Sequence, residues 1–214
     1  GTCGFISTPS DFTIKTGDYP LARRVYLYTT NRLSTVISES KSDKTMAFLG
    51  FVKSGAGHVA VETSGFVSQS ITALPIEVQG QRLVNTMLAD QGDVSLSDIR
   101  RMVSELSGAI RLSSTFRFKP NVAELDAQAL GDIPRLENYL RNNDFAGREF
   151  LIAGFCDAAG GASQNAALSQ RRAQQVLDEL LAALGDDAGE FRFALKVLAK
   201  SRRKAVTIPR LGAL

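Results

Sequence analysis

The chain has 214 residues, which is enough for one or two domains of ordinary size. Hydrophobic residues make up 44% and charged residues 22%, close to the average for globular proteins, and this excludes a collagen-like, low-complexity or wholly disordered chain. No run approaches the ~18 apolar residues of a membrane-spanning helix. The net charge of +3 is mild, and the densest basic cluster, Lys200–Lys204, reads more readily as a solvated turn than as a polymer-binding patch. We therefore expect no nucleic-acid partner.

The rare residue types exclude several kinds of site. His58 is the only histidine, so a multi-histidine metal site cannot form within one chain. Cys3 and Cys156 are the only cysteines, and their spacing is typical neither of a disulfide framework nor of a zinc site, although one bridge between them is possible. Cys156 has no neighbouring base in the sequence, which favours a small buried residue over a nucleophile. We expect no metal, no cofactor and no enzymatic activity.

The first 80 residues mix strand-like and helical patterns. Residues 24–30 alternate and are rich in β-branched and aromatic side chains, which predicts a strand. Asp43 is a candidate cap for a helix that ends near Gly55. The run Gly65–Val67 indicates the end of a second short helix followed by a strand.

Residues 81–112 resemble a connector with helical content. Apolar residues recur there at helical spacing, Ser95 or Ser97 is a candidate N-cap, and Gly108 lies near the predicted end. The residues in this apolar pattern are Leu96, Ile99, Met102, Val103, Leu106 and Ile110.

Residues 113–214 carry the clearest pattern of strands and helices. The predicted order is a strand at 114–118, a helix at 126–142, a strand at 149–155, a helix at 165–184, and strands at 191–197 and 204–208. Pro134 should start or kink the first helix, whose predicted apolar face is Leu130, Ile133, Leu136 and Leu140. This order predicts an α/β fold, an α+β sandwich of the order β-α-β-α-β-β, in which helices cover one side of a mixed sheet.

An acidic and a basic residue flank the turn after the buried strand. Asp157 follows this strand, and Arg172 lies about two turns into the next helix. Arg172 is suited to take a carboxylate through two hydrogen bonds, and Asp157 to accept from an ammonium group. The alternative is a structural ion pair or an Asx turn. Asn165 fits helix capping as well as ligand contact, and Arg171 fits a solvated helix position.

These residues resemble the OmpA-like peptidoglycan-binding domain. The resemblance covers roughly residues 113–210 and rests on Asp157, a small Gly-containing loop, Asn165, and the Leu-Ser-x-x-Arg-Ala run that includes Arg172. Further matching runs are Phe116-Arg117-Phe118, Glu124-Leu125-Asp126 and Arg202-Arg203. The resemblance implies that Asp157 and Arg172 hold the diaminopimelate of the peptide stem without a covalent bond, and Asn165 matches the loop asparagine of the family.

Some positions depart from the family pattern. Phe155-Cys156 stands where the family has His-Thr before the aspartate, and Ser201-Arg202-Arg203-Lys204 stands for Asn-Arg-Arg-Val. A Gly-Tyr-Gly segment before the last strand is absent. These departures bear on affinity and stem specificity more than on the scaffold.

The first 70 residues resemble the C-terminal part of a phosphate-type periplasmic substrate-binding protein. The matching runs, in order, are Cys3-Gly4-Phe5, Tyr19–Tyr28, Phe48–Val52 and Gly65–Val67. The resemblance implies that residues 1–80 are the end of a larger domain and that this chain is a fragment of a longer envelope protein. The strand at 24–30 would then need a second copy, giving a homodimer, or a missing N-terminal lobe.

Together, the patterns predict residues 1–80 as a substrate-binding-protein-like segment, 81–112 as a connector and 113–214 as an OmpA-like domain. The expected function is noncovalent attachment of an envelope protein to the peptide stem of peptidoglycan. The expected place is the periplasm of a Gram-negative bacterium, associated with the cell wall and outer membrane. The alternative is part of a phosphate or other oxyanion receptor of an ABC-type transport or sensing system.

Overall fold

The chain divides into two compact units in a computed structural model. One unit is residues 9–70, and the other is residues 71–214 together with 1–8. Residues 71–112, which the sequence assigned to the first segment and the connector, therefore belong to the same unit as residues 113–214. The residues described are 8–28, 39–79, 100, 103–154, 162–197 and 205–210.

The first unit is helical in its described parts. Helices α1 (Asp11–Lys15), α2 (Glu39–Lys53) and α3 (Gly55–Thr63) follow one another. The predicted helix ending near Gly55 is confirmed, but it starts at Glu39, so Asp43 lies inside it and does not cap it. The Oγ of Ser54 accepts from the backbone N–H of Gly57 and caps α3.

The predicted strand at 24–30 is wrong within its described part. Residues 22–28 have no regular secondary structure, and the side chains of Val25, Tyr26, Leu27 and Tyr28 are exposed. A strand needs a hydrogen-bonded neighbour, and no described strand pairs with this segment. The strand predicted after Gly65 is absent too, because residues 66–67 are a bend and irregular chain. A second copy or a further lobe covering 22–28 stays a prediction.

The second unit contains a separate two-stranded antiparallel sheet. Strand β1 (Ala73–Pro75) pairs antiparallel with β2 (Ile110–Leu112), and a short 3-10 helix (Ile76–Gln79) follows β1. Residues 103–106 are helical and the chain turns at Gly108, whose φ is +72°, as the sequence predicted. Most of the predicted helix before residue 103 lies outside the described residues.

The remaining elements follow the predicted order. They are β3 (Thr115–Phe116), α4 (Ala127–Arg141), β4 (Glu149–Gly154), α5 (Ala162–Leu184), a 3-10 helix (Gly185–Glu190), β5 (Arg192–Val197) and β6 (Ala205–Arg210). The predicted strands and helices of this region are thus confirmed, with bounds shifted by a few residues.

The four strands β3 to β6 form one mixed sheet. Its order is β3-β6-β4-β5, in which β4 and β5 are parallel and the pairs β4–β6 and β3–β6 are antiparallel. Helix α5 makes the crossover between the two parallel strands, as a parallel pair requires. The α/β fold class predicted from the sequence is confirmed.

Helices α4 and α5 cover one face of this sheet and enclose the main core. Asp126 caps α4, since its Oδ1 accepts from the N–H of Ala129 at 2.7 Å. From the sheet, Phe150 and Ile152 enter the core between the helices. The buried helix residues in this cluster are Ala129, Ile133, Leu136, Leu140, Ala173, Val176, Leu180 and Leu184.

Two details of α4 differ from the prediction. Leu130 was placed on the buried face, but it is 48% exposed, and Ala129 takes the inner position. Pro134 does not start the helix and lies inside it, and a kink at this position stays a prediction. Proline has no N–H to donate to the carbonyl of Leu130, but Pro134 is on the exposed face of the helix, where water can hydrogen-bond to that carbonyl. Ile133 and Leu136 on the opposite face still pack in the core.

Described residues of the ranges 71–79 and 103–112 pack against the opposite face of the sheet. Leu151 and Ala153 of β4 point to that face and form a second buried cluster with Ile76, Leu106 and Ala109. The sequence predicted cover on one side only. Cover on both faces explains why β4 is a continuous apolar run, because its side chains alternate between two cores.

A shortened chain tests how far the folding unit extends. A chain that starts at residue 113 lacks the residues covering Leu151 and Ala153, which are 2% and 0% exposed. Exposure costs about 1.5–3 kcal/mol for Leu151 alone. We expect this chain to bind a hydrophobic dye and to aggregate, and a chain that starts at residue 71 to remain monomeric in gel filtration. Equal urea midpoints for both chains would contradict this role of residues 71–112.

The carboxylate of Glu77 joins the 3-10 helix after β1 to the turn at Gly108 by a hydrogen bond. Its Oε1 accepts from the N–H of Gly108 at 2.9 Å, and this hydrogen bond lowers the pKa of Glu77 below the usual glutamate value. A lowered pKa in the folded state means that the stabilisation is present at neutral pH and is lost as the pH falls through that pKa. We expect the Gly108 amide resonance to titrate with a midpoint below that of an ordinary glutamate, and Glu77→Gln to remove this transition.

Candidate functional site

The carboxyl end of β4 and the first half of α5 approach each other at backbone distance. A Cβ atom built on Gly154 would lie 2.1 Å from the carbonyl oxygen of Ser169 and 3.2 Å from the Cβ of Ala173. Only glycine fits at this position without movement of the helix. The contact fixes the height of the amino-terminal half of α5 against the carboxyl end of β4.

The buried face of α5 changes from apolar to polar toward this end. Val176, Leu180 and Leu184 enter the core. Toward the amino end, the same face carries Asn165, Ser169 and Arg172, which are buried as well. Their spacing of four and then three residues keeps them on one side of the helix. A buried arginine among polar neighbours at the edge of a sheet is typical of a binding site for an anion.

The segment between β3 and α4 contacts the guanidinium of Arg172, which is 8% exposed. Its Nε donates to the carbonyl oxygen of Val122 at 3.1 Å. Its Cζ lies 5.2 Å from the centroid of the Phe118 ring, which is a cation–π distance. Both partners belong to the segment between β3 and α4.

This segment is a short closed loop. Phe118 and Leu125 form an isolated antiparallel bridge, and the N–H of Lys119 donates to the carbonyl of Glu124 at 2.9 Å. The side chains of Lys119 and Glu124 form an ion pair across the loop. Asn121 has φ of +60°, a conformation that asparagine tolerates better than most residues. The loop therefore holds the Val122 carbonyl in a defined place.

The residues predicted for the site have different outcomes. Arg172 is buried and oriented at the predicted place on α5. Asn165 is buried inside α5, which starts at Ala162, so the alternative of helix capping is wrong. Asp157 lies outside the described residues, and its role stays a prediction. Arg171 is exposed, as expected of a solvated helix residue.

Cys3 and Cys156 lie outside the described residues. His58 lies within α3 in the first unit and is partly buried, which agrees with the reading of an ordinary helix histidine.

Sequence reasoning missed three parts of the site. Ser169 continues the face of Asn165 and Arg172, and the helical spacing was enough to include it. Phe118 was noted as part of a strand but not as a partner of Arg172, because the two are 54 positions apart in the sequence. The Val122 carbonyl left no signal, since a backbone group has no residue signature.

The fold and site define a small mixed α/β domain with a buried, oriented arginine at one edge of its sheet. Residues 117–208 match the OmpA family, and this part of the chain is an OmpA family domain. The match does not reach residues 1–80, so their resemblance to a phosphate-type substrate-binding protein stays a prediction. No curated protein matches the chain at a significant level.

Several solved structures resemble part of the chain. The peptidoglycan-associated lipoprotein from Burkholderia pseudomallei has 21% identity and a TM-score of 0.39, with 45% of this chain and 90% of that chain covered. An outer membrane protein from Borrelia burgdorferi has 23% identity and a TM-score of 0.39, covering 49% and 90%. The cell wall anchor of the T6SS from Pseudomonas aeruginosa has 24% identity and a TM-score of 0.34, covering 47% and 80%.

Within the described ranges, no helix is long and apolar enough to cross a membrane.

A pair of glycine substitutions tests the close approach at this site. Gly154→Ala places a methyl group against the Ser169 carbonyl, and we expect it to lower the free energy of unfolding by about 1–3 kcal/mol. Gly131→Ala is the control, because Gly131 is exposed within α4 with open space around it. It should raise stability by about 0.5–1 kcal/mol. Urea denaturation of both variants gives the comparison, and a neutral Gly154→Ala would contradict the contact.

Proposed function

We propose that the OmpA family domain of this chain binds peptidoglycan noncovalently, through the peptide stem, and anchors an envelope protein to the cell wall. The observation that carries the proposal is Arg172, which is buried at the polar end of α5 and oriented by two contacts from a neighbouring loop. The family match at residues 117–208 supports it, because the resemblance to peptidoglycan-binding domains rests on the same residues.

The ligand chemistry follows from the residue types. The planar guanidinium of Arg172 takes a carboxylate of the stem, and the carboxylate of Asp157 accepts from an ammonium group. Diaminopimelate offers both groups at one end of its side chain, whereas lysine offers only the ammonium. Asp157 follows Gly154 by three residues in the sequence, which supports a role at the same edge of the sheet. Asn165, buried on the face of Arg172, completes the set.

Binding of this kind makes and breaks no covalent bond. The protein supplies charged side chains that hold the peptide stem in one orientation, and the stem is not chemically altered. The corresponding place is the periplasm of a Gram-negative bacterium, where diaminopimelate-containing stems are exposed.

Sedimentation with purified sacculi tests the binding itself. We expect Asp157→Ala and Arg172→Ala to abolish co-sedimentation, because each removes one of the two charges that the stem meets. Arg171→Ala is the matched control, since Arg171 is the neighbouring, exposed arginine on α5 and should leave binding unchanged. Thermal unfolding of each variant checks that the domain is folded. Co-sedimentation retained by both site variants would exclude the proposal.

Two stem tripeptides test the ligand specificity. We expect the peptide with diaminopimelate to bind at least about tenfold more tightly than the peptide with lysine, because lysine lacks the carboxylate that meets Arg172. Calorimetric titration of the full chain gives both affinities. Arg172→Ala should bring the two affinities together, and a preference that survives this substitution would refute the assignment of Arg172 to that carboxylate.

A further inference from the structure

The first unit, residues 9–70, exposes much of its apolar surface to water. Fourteen large apolar side chains are exposed among the residues that the structure describes, and ten of them belong to this unit. Within the same described residues, Phe12 is the one buried large apolar side chain of the unit. Such a surface marks an interaction site, because apolar area left in water costs free energy. The ten side chains are Leu21, Val25, Tyr26, Leu27, Tyr28, Met46, Phe48, Phe51, Val59 and Phe66.

Helix α2 shows the same lack of cover in its sequence. Residues 46–52 form a run of seven without a polar side chain, and a helix that is apolar on every side is normally buried in protein. Leu49 and Val52 are half-buried, whereas Phe48 and Phe51 are exposed. The unit therefore requires a partner that covers the rest of this helix.

The exposed apolar area is large enough for a stable dimer. Five of the ten side chains are aromatic and 47–86% exposed. At 150–250 Å² for a fully buried aromatic residue, these five present on the order of 600 Å², and all ten present on the order of 1,000 Å². A stable interface buries roughly 800 Å² on each partner.

A second copy of the chain is the partner that matches this surface. The four large apolar side chains exposed elsewhere in the described residues, Val78, Val103, Val122 and Leu130, lie on four different segments. They therefore form no surface of comparable size. We propose that residues 9–70 are a self-association surface through which two copies form a symmetric dimer, with residues 24–28 of the two copies paired as antiparallel strands. A two-fold axis is the commonest symmetry of soluble oligomers.

Residues 24–28 are suited to pair with a strand of another chain. The ring centroids of Tyr26 and Tyr28 are 6.1 Å apart, so residues i and i+2 lie on the same side, as they do in an extended chain. No described strand pairs with this segment. An extended segment of β-forming residues without a neighbouring strand readily adds a strand from a second molecule.

The two-fold axis restricts the register of this pairing. An antiparallel pair that aligns all five residues is centred on Tyr26, which faces its own copy. Val25 then faces the partner's Leu27, which keeps apolar side chains together on one side of the pair. Arg24 faces the partner's Tyr28 on the other side, where a guanidinium can lie against an aromatic ring. A register centred one residue earlier would place an arginine against Leu27.

Two charge variants of the full chain test the dimer and its register together. Sedimentation equilibrium of the unchanged chain at micromolar concentration should give the mass of two chains. We expect Tyr26→Lys and Tyr26→Glu each to raise the dissociation constant of the dimer at least about tenfold, because like charges then face each other across the axis. An equimolar mixture of the two variants should form dimers again, since opposite charges then face each other.

Val78→Lys is the matched control for these variants. Val78 is 66% exposed in the second unit, against 60% for Tyr26, so the substitution should leave the dimer unchanged. Circular dichroism of each variant checks that the chain is folded. A monomeric unchanged chain would overturn the proposal and would leave a different protein as the partner of this surface. Aggregates larger than a dimer would also overturn it, as would a mixture of the two charge variants that stays monomeric.

Amide hydrogen exchange tests the backbone pairing separately. Amides of residues 24–28 should exchange more slowly as the protein concentration rises through the dissociation constant, because strand pairing gives them hydrogen-bond acceptors. In Tyr26→Lys, they should exchange rapidly over the same concentration range. Dimers in which residues 24–28 exchange rapidly would show that the strand pairing is wrong.

Neither measurement requires a peptidoglycan ligand. Loss of sacculus binding would exclude the proposed function without changing the sedimentation or exchange results. A monomeric chain that still binds sacculi would overturn the dimer and leave the proposed function intact.

Discussion

The backbone contact between Gly154 and Ser169 is the constraint on which the rest of the site depends. Because the closest atoms belong to the main chain of both elements, no side-chain rotation can relieve the contact, and α5 is held at one height against β4. Arg172 lies three residues beyond Ser169 on the same helix. Its position relative to the edge of the sheet is therefore set by backbone packing, while its orientation is set by the loop before α4.

Helix α5 carries an apolar half and a buried polar half along a single face. Its carboxyl-terminal half places Val176, Leu180 and Leu184 in the core, which holds the helix to the sheet. The amino-terminal half continues the same face with Asn165 and Arg172. Burial of a charged side chain is costly unless polar partners compensate it. The apolar half of the helix supplies the packing that keeps such a group in place.

Strand β4 has a similar double role within the sheet. Phe150 and Ile152 join the core under the helices, and Leu151 and Ala153 join the cluster with Ile76 and Leu106. The central strand is thus buried on both faces, although the OmpA family match begins only at residue 117. Residues before the match complete the folding unit, because a strand with two apolar faces requires cover on both.

The sequence by itself determined the order of elements from residue 113 onward, the approximate length of α4 and α5, and the position of Arg172 in the first half of α5, because helical spacing and the run around Arg172 are local signals. The sequence predicted Leu130 on the buried face of α4, where the structure has Ala129. It also predicted a strand at 24–30, but the β-forming side chains there have no described partner strand. Tertiary structure alone decided the cover over Leu151, the approach of Gly154 to α5, and the pairing of Arg172 with Phe118. These depend on contacts between residues far apart in the sequence, and such contacts leave no periodic pattern in either partner.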